Sequence, residues 1–242
     1  MDRRQFSHLC ASLLAGAAAL DAAATTGEQA PVDAWPATTL TDSLGTPLRF
    51  QDLAIGSSHV FHYPYRTTPC FLIRLNAAPD GGASLTDRAG NQYTWQGGAG
   101  DDQTLVAFSA ICTHKMSHPA KPISHLNFRS NAKQITKRDG TRQTRAQLIT
   151  CCSEYSIYDA TKGAEVINGP ATQPLTSIVL DINADGQILA TGTRGGHIYD
   201  EFLQKFGLRQ SMEQGIADPS QLADATTIAV PAATYSKQQI LC

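Results

Sequence analysis

Between residues 59 and 191 the apolar positions fall in short runs broken by Pro, Gly, Asn and Asp, the spacing of strands and turns. Residues 59–63 and 70–75 are bounded by Pro64, Pro69 and Pro79, so each predicts a short strand. Residues 84–95 carry Gly90 and Asn91 between two halves and predict a hairpin. The unbroken apolar run 105–111 delivers Cys112 at its end. Further strands are expected at 148–150, 165–167, 177–182 and 187–191, the last two joined by the turn Asn183-Ala184-Asp185-Gly186. Residues 30–57 show little periodicity and read as a lead-in with one short strand near 47–50. Tyr199, Phe202, Leu203 and Phe206 lie at helical spacing and predict one helix, with Gly207 as its stop. Beyond residue 210 the signal reduces to a strand at 227–230. Short strands without βαβ alternation or internal repeat indicate an all-β antiparallel sandwich or barrel.

Composition narrows the class little. With 242 residues, 42% hydrophobic, 17% charged and a net charge of -2, the chain is neither disordered nor a coiled coil, and it carries no dominant nucleic-acid footprint. The first residues say more. Arg3 and Arg4 precede Phe6 and the apolar run 9–20, which ends in Ala22, Ala23 and Ala24, the layout of a signal peptide over residues 1–24. Arg-Arg-x-Phe is similar to a twin-arginine signal, used by proteins that take up cofactors before export; an ordinary secretory signal is the alternative. Both place one mature domain, residues 30–242, in the periplasm. No apolar stretch in 30–242 approaches the ~20 residues of a membrane-spanning helix, so no integral span is expected after cleavage.

Beyond Cys10 in the leader, cysteines stand at 70, 112, 151, 152 and 242, an odd set with no even framework, which favours metal binding over a disulfide scaffold. Cys112-Thr113-His114 lies just past a strand, in a segment that also holds His118 and His125, and Cys151-Cys152 follows a second strand. Thiolate with imidazole suits iron–sulfur or zinc chemistry. A lone Cys-x-His is equally an ordinary core feature. Cys70 reads as a small buried hydrophobe, His59, His62 and His197 as structural, and His118 as a surface histidine past the polar turn Lys115-Met116-Ser117.

Three patches then carry a resemblance. Ala107-Phe-Ser-Ala-Ile-Cys-Thr-His114 resembles the first cluster box of Rieske proteins, and Ile149-Thr-Cys-Cys-Ser-Glu-Tyr-Ser-Ile-Tyr-Asp159 the second. Gly169-Pro-Ala-Thr-Gln-Pro-Leu175 is similar to the proline loop that covers the cluster. The resemblance implies a Rieske-like antiparallel sandwich with a small cluster-binding subdomain over about 107–175. It implies a [2Fe-2S] cluster, with Cys112 and Cys151 at the thiolate positions and His114 at the first imidazole position. Gly169 and Pro170 would cover the cluster, and Ser156 and Tyr158 match hydroxyl donors to a bridging sulfide and a cysteine sulfur, which raise the reduction potential.

The fourth position departs from the pattern: Glu154 stands where the family has its second His, and Tyr155 where a Gly follows it. Four readings stay open. Glu154 ligates iron as a carboxylate, His118 swings in, Cys152 serves as a third thiolate, or no cluster forms. A carboxylate ligand would lower the potential, and one His in place of two would weaken its pH dependence. The disulfide that ties the two loops in quinol-oxidising relatives falls here on Ser117 and Ser153, so it is absent. Lys121, Arg129, Lys133, Lys137, Arg138, Arg142 and Arg145 make 119–150 basic, either a docking face for an acidic redox partner or a solvated hairpin.

The functional expectation is an exported electron carrier or redox-complex subunit. Its rivals are a cluster-less binding module and a zinc domain using Cys112, His114, Cys151 and Cys152. A ring-hydroxylating oxygenase is not expected, because that chemistry needs a large catalytic domain for which these residues leave no room, and no glycine-rich nucleotide loop is present.

Overall fold

The strand Pro69–Arg74 is buried at all six positions, because it is paired on both edges and covered on both faces. Its alternation feeds two cores: Phe71 and Ile73 pack with Val60, Val106 and Phe108, while Cys70 and Leu72 pack with Phe61, Leu105 and Ala107. Burying each large side chain is worth ~1.5–3 kcal/mol, so this strand is the strongest single anchor of the fold. The computed structural model describes residues 32–242; the leader expected over 1–24 lies outside the described residues.

Around that strand an eight-stranded sheet runs in the spatial order Thr226–Ile228, Asp33–Thr41, Ile188–Arg194, Ser177–Ile182, Leu105–Ser109, Pro69–Arg74, Ser58–His62 and Val230–Pro231. Its pairings are antiparallel except that of Asp33–Thr41 with Thr226–Ile228. A four-stranded antiparallel sheet, in the order Glu165–Asn168, Ser156–Asp159, Leu148–Cys151 and Leu126–Arg129, packs Leu126, Ile149 and Tyr158 into the core that holds Phe71 and Phe108. Two hairpins complete the strands, Ala83–Thr86 with Gln92–Trp95 and Lys133–Thr136 with Arg142–Arg145. The all-β class follows, with the second sheet as the smaller subdomain.

Three expectations change. The lead-in contains a nine-residue strand, Asp33–Thr41, which pattern missed because Pro36 sits where the register shifts between Ala34 and Thr38 and only the C-terminal half is buried. Residues 47–50 make only isolated pairings, at Pro47 and Arg49, before the turn of 3-10 helix Phe50–Asp52. The helix is Tyr199–Gln214 and passes through Gly207, which is buried because a Cβ there would meet Pro219 at 3.1 Å. The true stop is Gly215, at φ 67°, whose N–H bonds the Ser211 carbonyl.

The fourth correction is a disulfide, Cys152–Cys242, across 90 residues. The odd cysteine count hid it, because the two partners lie far apart and three other cysteines stay free. It fastens the segment 237–242 beside the second box, where Ser124 N–H donates to Gln238 O, Ile240 N–H to Ser124 O, and Asn127 Nδ2 to Ile240 O. We expect non-reducing peptide mapping to recover the Cys152–Cys242 pair, and Cys242→Ser to cost about 3–5 kcal/mol in denaturant melts, as closure of a loop this long implies. An unchanged melt would show that the cross-link carries no stability.

Candidate metal centre

Three loops converge on two thiols. The strand Leu105–Ser109 leads into Cys112, whose N–H donates to Ser117 O at 2.9 Å while Met116 N–H returns to Cys112 O at 2.8 Å, closing the first loop. The second loop turns between Leu148–Cys151 and Ser156–Asp159, with Cys151 and Ser156 as the last ladder pair. Tyr155 at its tip adopts φ 58°, the left-handed region that favours glycine, which accounts for the family's Gly at this position. The third loop begins at Gly169, where a Cβ would lie 2.4 Å from Tyr155 O, so only glycine permits the approach.

Inside, Cys112 and Cys151 are both free thiols, buried in one packed cluster. Thr113 N–H donates to the Tyr158 oxygen at 3.1 Å, and the Tyr158 hydroxyl lies 3.2 Å from both Cys112 Sγ and Thr113 Oγ1. Ser156, fully buried, also bonds Cys112 and accepts from Ala171 N–H at 3.2 Å. These contacts, the Cys151 hydrogen bond first, pull the Cys112 pKa down to about 6 against the opposing effect of burial. Cys151 moves the other way, held protonated by the bond it donates and by burial. The proton of the pair is thus biased away from Cys112 and toward Cys151.

His114 is half-buried, and its Nδ1 is buried with no hydrogen-bond partner. Two facing thiols and an orphaned imidazole nitrogen are a donor set that suits an iron–sulfur group. Glu154 is not turned to them: its carboxylate accepts from Lys115 Nζ at 2.7 Å, and that bond sets its pKa below the usual carboxylate value. Among the described residues no three His, Cys, Asp or Glu side chains are gathered closely enough to hold a metal ion. The structure thus brings Cys112, Cys151, Ser156 and Tyr158 together, sets His114 beside them with a free nitrogen, and leaves Glu154 on Lys115.

Two of the open readings close. Cys152 is oxidised to a disulfide, so it supplies neither a third thiolate nor a zinc ligand. His118 is no surface histidine: Phe202 and Phe206 rings meet it edge-on at 4.9 and 5.0 Å, Nδ1 engages Met116 O and Nε2 the Gln210 amide. With both nitrogens committed it cannot reach the thiols without unpacking the helix. Cys70 is buried as expected, and the half-buried His62 is pushed to about 4 by desolvation first, then by Lys121 and His118.

Much of the basic segment has internal work. Arg145 pairs with the fully buried Asp159, and Arg138 donates to the Gly169 and Ala171 carbonyls of the proline loop. Arg129 donates to Cys242 O at 3.1 Å and Lys121 to Glu213 O at 2.6 Å. Only Lys133, Lys137 and Arg142 of the seven are left for a docking role. Sequence reading missed Arg138, Thr113, Gln173 and Cys242, which act across more than 30 residues and leave no local pattern.

No family model matches the chain. Two curated proteins are similar to it, the iodate reductase subunits IdrB of Pseudomonas sp. (strain SCT) and Denitromonas iodatirespirans, each 29% identical over 144 residues, which is 59% of this chain. The matched part is 56% and 58% of those proteins, so the chain spans little more than half the length of the curated relatives it matches. Among solved structures, the soluble domain of Rieske protein II (soxF) from Sulfolobus acidocaldarius aligns over 67% of this chain and 82% of that one, with 23% identity and a TM-score of 0.44.

The shifted thiol yields a pH test on the metal-free protein. Folding lowers the Cys112 pKa from 9.0 to about 6, so its contribution to stability is complete above pH 9 and is lost as pH falls through about 6. Cys151, raised by folding, works against stability above pH 9. Chemical denaturation from pH 6 to 9 is therefore expected to show rising stability, with a shallower rise in Cys112→Ser; a flat profile would contradict the lowered Cys112 pKa.

Two cysteine boxes in order, a tyrosine hydroxyl on the first cysteine sulfur and a glycine-led proline loop tied to both are the features on which this chain resembles Rieske-type proteins.

Proposed function

We propose that this chain is an exported electron-transfer subunit carrying a [2Fe-2S] cluster, with Cys112 and Cys151 on one iron and His114 and Glu154 on the other. The observation that carries the reading is the pair of buried free thiols, Cys112 and Cys151, in one core with the Tyr158 hydroxyl oxygen 3.2 Å from Cys112 Sγ. When bound, the cluster supplies one-electron uptake and release. The chain's own residues do the rest. The lowered pKa of Cys112 eases loss of its proton when a metal group binds. Tyr158 and Ser156 direct hydrogen bonds at sulfur and favour added negative charge. The proline loop, fixed by Arg138 and by Thr113 Oγ1 on Gln173 O at 2.8 Å, keeps water from the thiols. For Glu154 to serve as ligand it must exchange Lys115 for iron, which an exposed, solvent-screened pair permits.

The relatives named as iodate reductase subunits support a place in a reductase complex, in which this chain passes electrons to or from a partner. Lys133, Lys137 and Arg142 remain for an acidic partner surface. Export rests on Arg3, Arg4 and the apolar run that follows. No helix among the described residues is long and apolar enough to cross a membrane.

The test is visible absorption and reduced-state paramagnetic resonance, with iron and sulfide analysis, on protein from the periplasmic fraction, repeated on Glu154→Gln. A rhombic signal that shifts or vanishes in the variant is expected. An iron-free, colourless wild type would sink the cluster and favour a binding module; a coloured protein confined to the cytoplasm would sink export.

A further inference from the structure

Gln173 is 2% exposed, yet neither its amide nitrogen nor its amide oxygen has a hydrogen-bond partner. Among the described residues it is the one side chain with two such atoms. A buried amide without partners gives up water at both ends and gains nothing in exchange, and such an orphan in a folded protein calls for a partner outside the chain.

Its place in the fold narrows what that partner is. The Gln173 carbonyl accepts from Thr113 Oγ1, which fixes the residue against Cys112-Thr113-His114. On one side of Thr113 lies the Cys112 thiol, packed in one cluster with Cys151; on the other lies His114, whose Nδ1 is a further orphan. Two residues before Gln173, Ala171 N–H reaches Ser156, and both Ala171 and Leu175 pack in the core that contains Cys112, Cys151 and Tyr158. The unpartnered amide thus belongs to the stretch of loop pinned to both boxes.

We infer that Gln173 is a cofactor-binding residue whose Nε2–H donates to a sulfur of the group held by Cys112 and Cys151. Sulfide and thiolate sulfur only accept, so the amide nitrogen is the end that engages. A third donor beside Tyr158 and Ser156 stabilises the added electron and offsets the negative charge that Glu154 brings to the site. The inference rests on the cluster proposed above.

Gln173→Leu, made in the full chain and studied in two states, separates the possibilities. In the metal-free protein leucine removes the orphan amide at similar volume, so the thermal midpoint holds or rises. In the cluster-loaded protein the same change lowers the midpoint potential, alters the resonance spectrum and speeds cluster loss. A loaded variant with the wild-type potential and spectrum would overturn the role of Gln173 while leaving the cluster standing. A fall in metal-free stability would also overturn it, by showing that the amide already has a partner. A wild type that holds no cluster would remove both proposals together.

Discussion

The packing of the Cys112 and Cys151 thiols in one cluster depends on the whole architecture and in turn explains it. Cys112 lies just past the strand Leu105–Ser109 of the eight-stranded sheet and Cys151 ends a strand of the four-stranded sheet, so the two meet only if both sheets close on one core. Phe71, Phe108, Ile149 and Tyr158 in that core set the distance between sheets, and with it the distance between sulfurs.

Strain at the loop tips is held by fastenings this chain makes in its own way. Tyr155 and Met116 both adopt positive φ, a cost of order 1–3 kcal/mol each that persists only where surroundings enforce it. The second loop is anchored from behind by Cys152–Cys242, and the first by His118, wedged between Phe202 and Phe206. Across the front only Lys115 and Glu154 join the loops, 61% and 34% exposed, a pair too solvated to hold the fold and well placed to steer Glu154. Where the resemblance places a cross-link that Ser117 and Ser153 rule out, ties to other parts of the fold hold the loops. Tyr155, 67% exposed beside them, presents an aromatic surface at the tip of the site.

Elements with a clean period were legible in sequence. The runs around Leu72, Leu105 and Ile178 alternate or stay apolar because sheet neighbours bury them, and Asn183-Ala184-Asp185-Gly186 forms the turn its residues demand. Asp33–Thr41 was not, since a strand interrupted by Pro36 and half exposed has no period to read. Gly207 misled because a glycine that permits close packing looks the same in sequence as one that ends a helix. In the site, the two boxes announced their cysteines, while the Gln173 amide, the Arg138 clamp and the Lys115–Glu154 pair exist only once distant loops meet.

The most direct test of the centre is nitrogen hyperfine spectroscopy of the reduced protein, with histidine labelled by nitrogen isotope. One strongly coupled imidazole nitrogen, from His114, is expected, with no second coupling. Two coupled imidazoles would contradict a carboxylate at Glu154 and require another histidine to reach the iron, and no coupling at all would contradict a Rieske-type cluster in this chain.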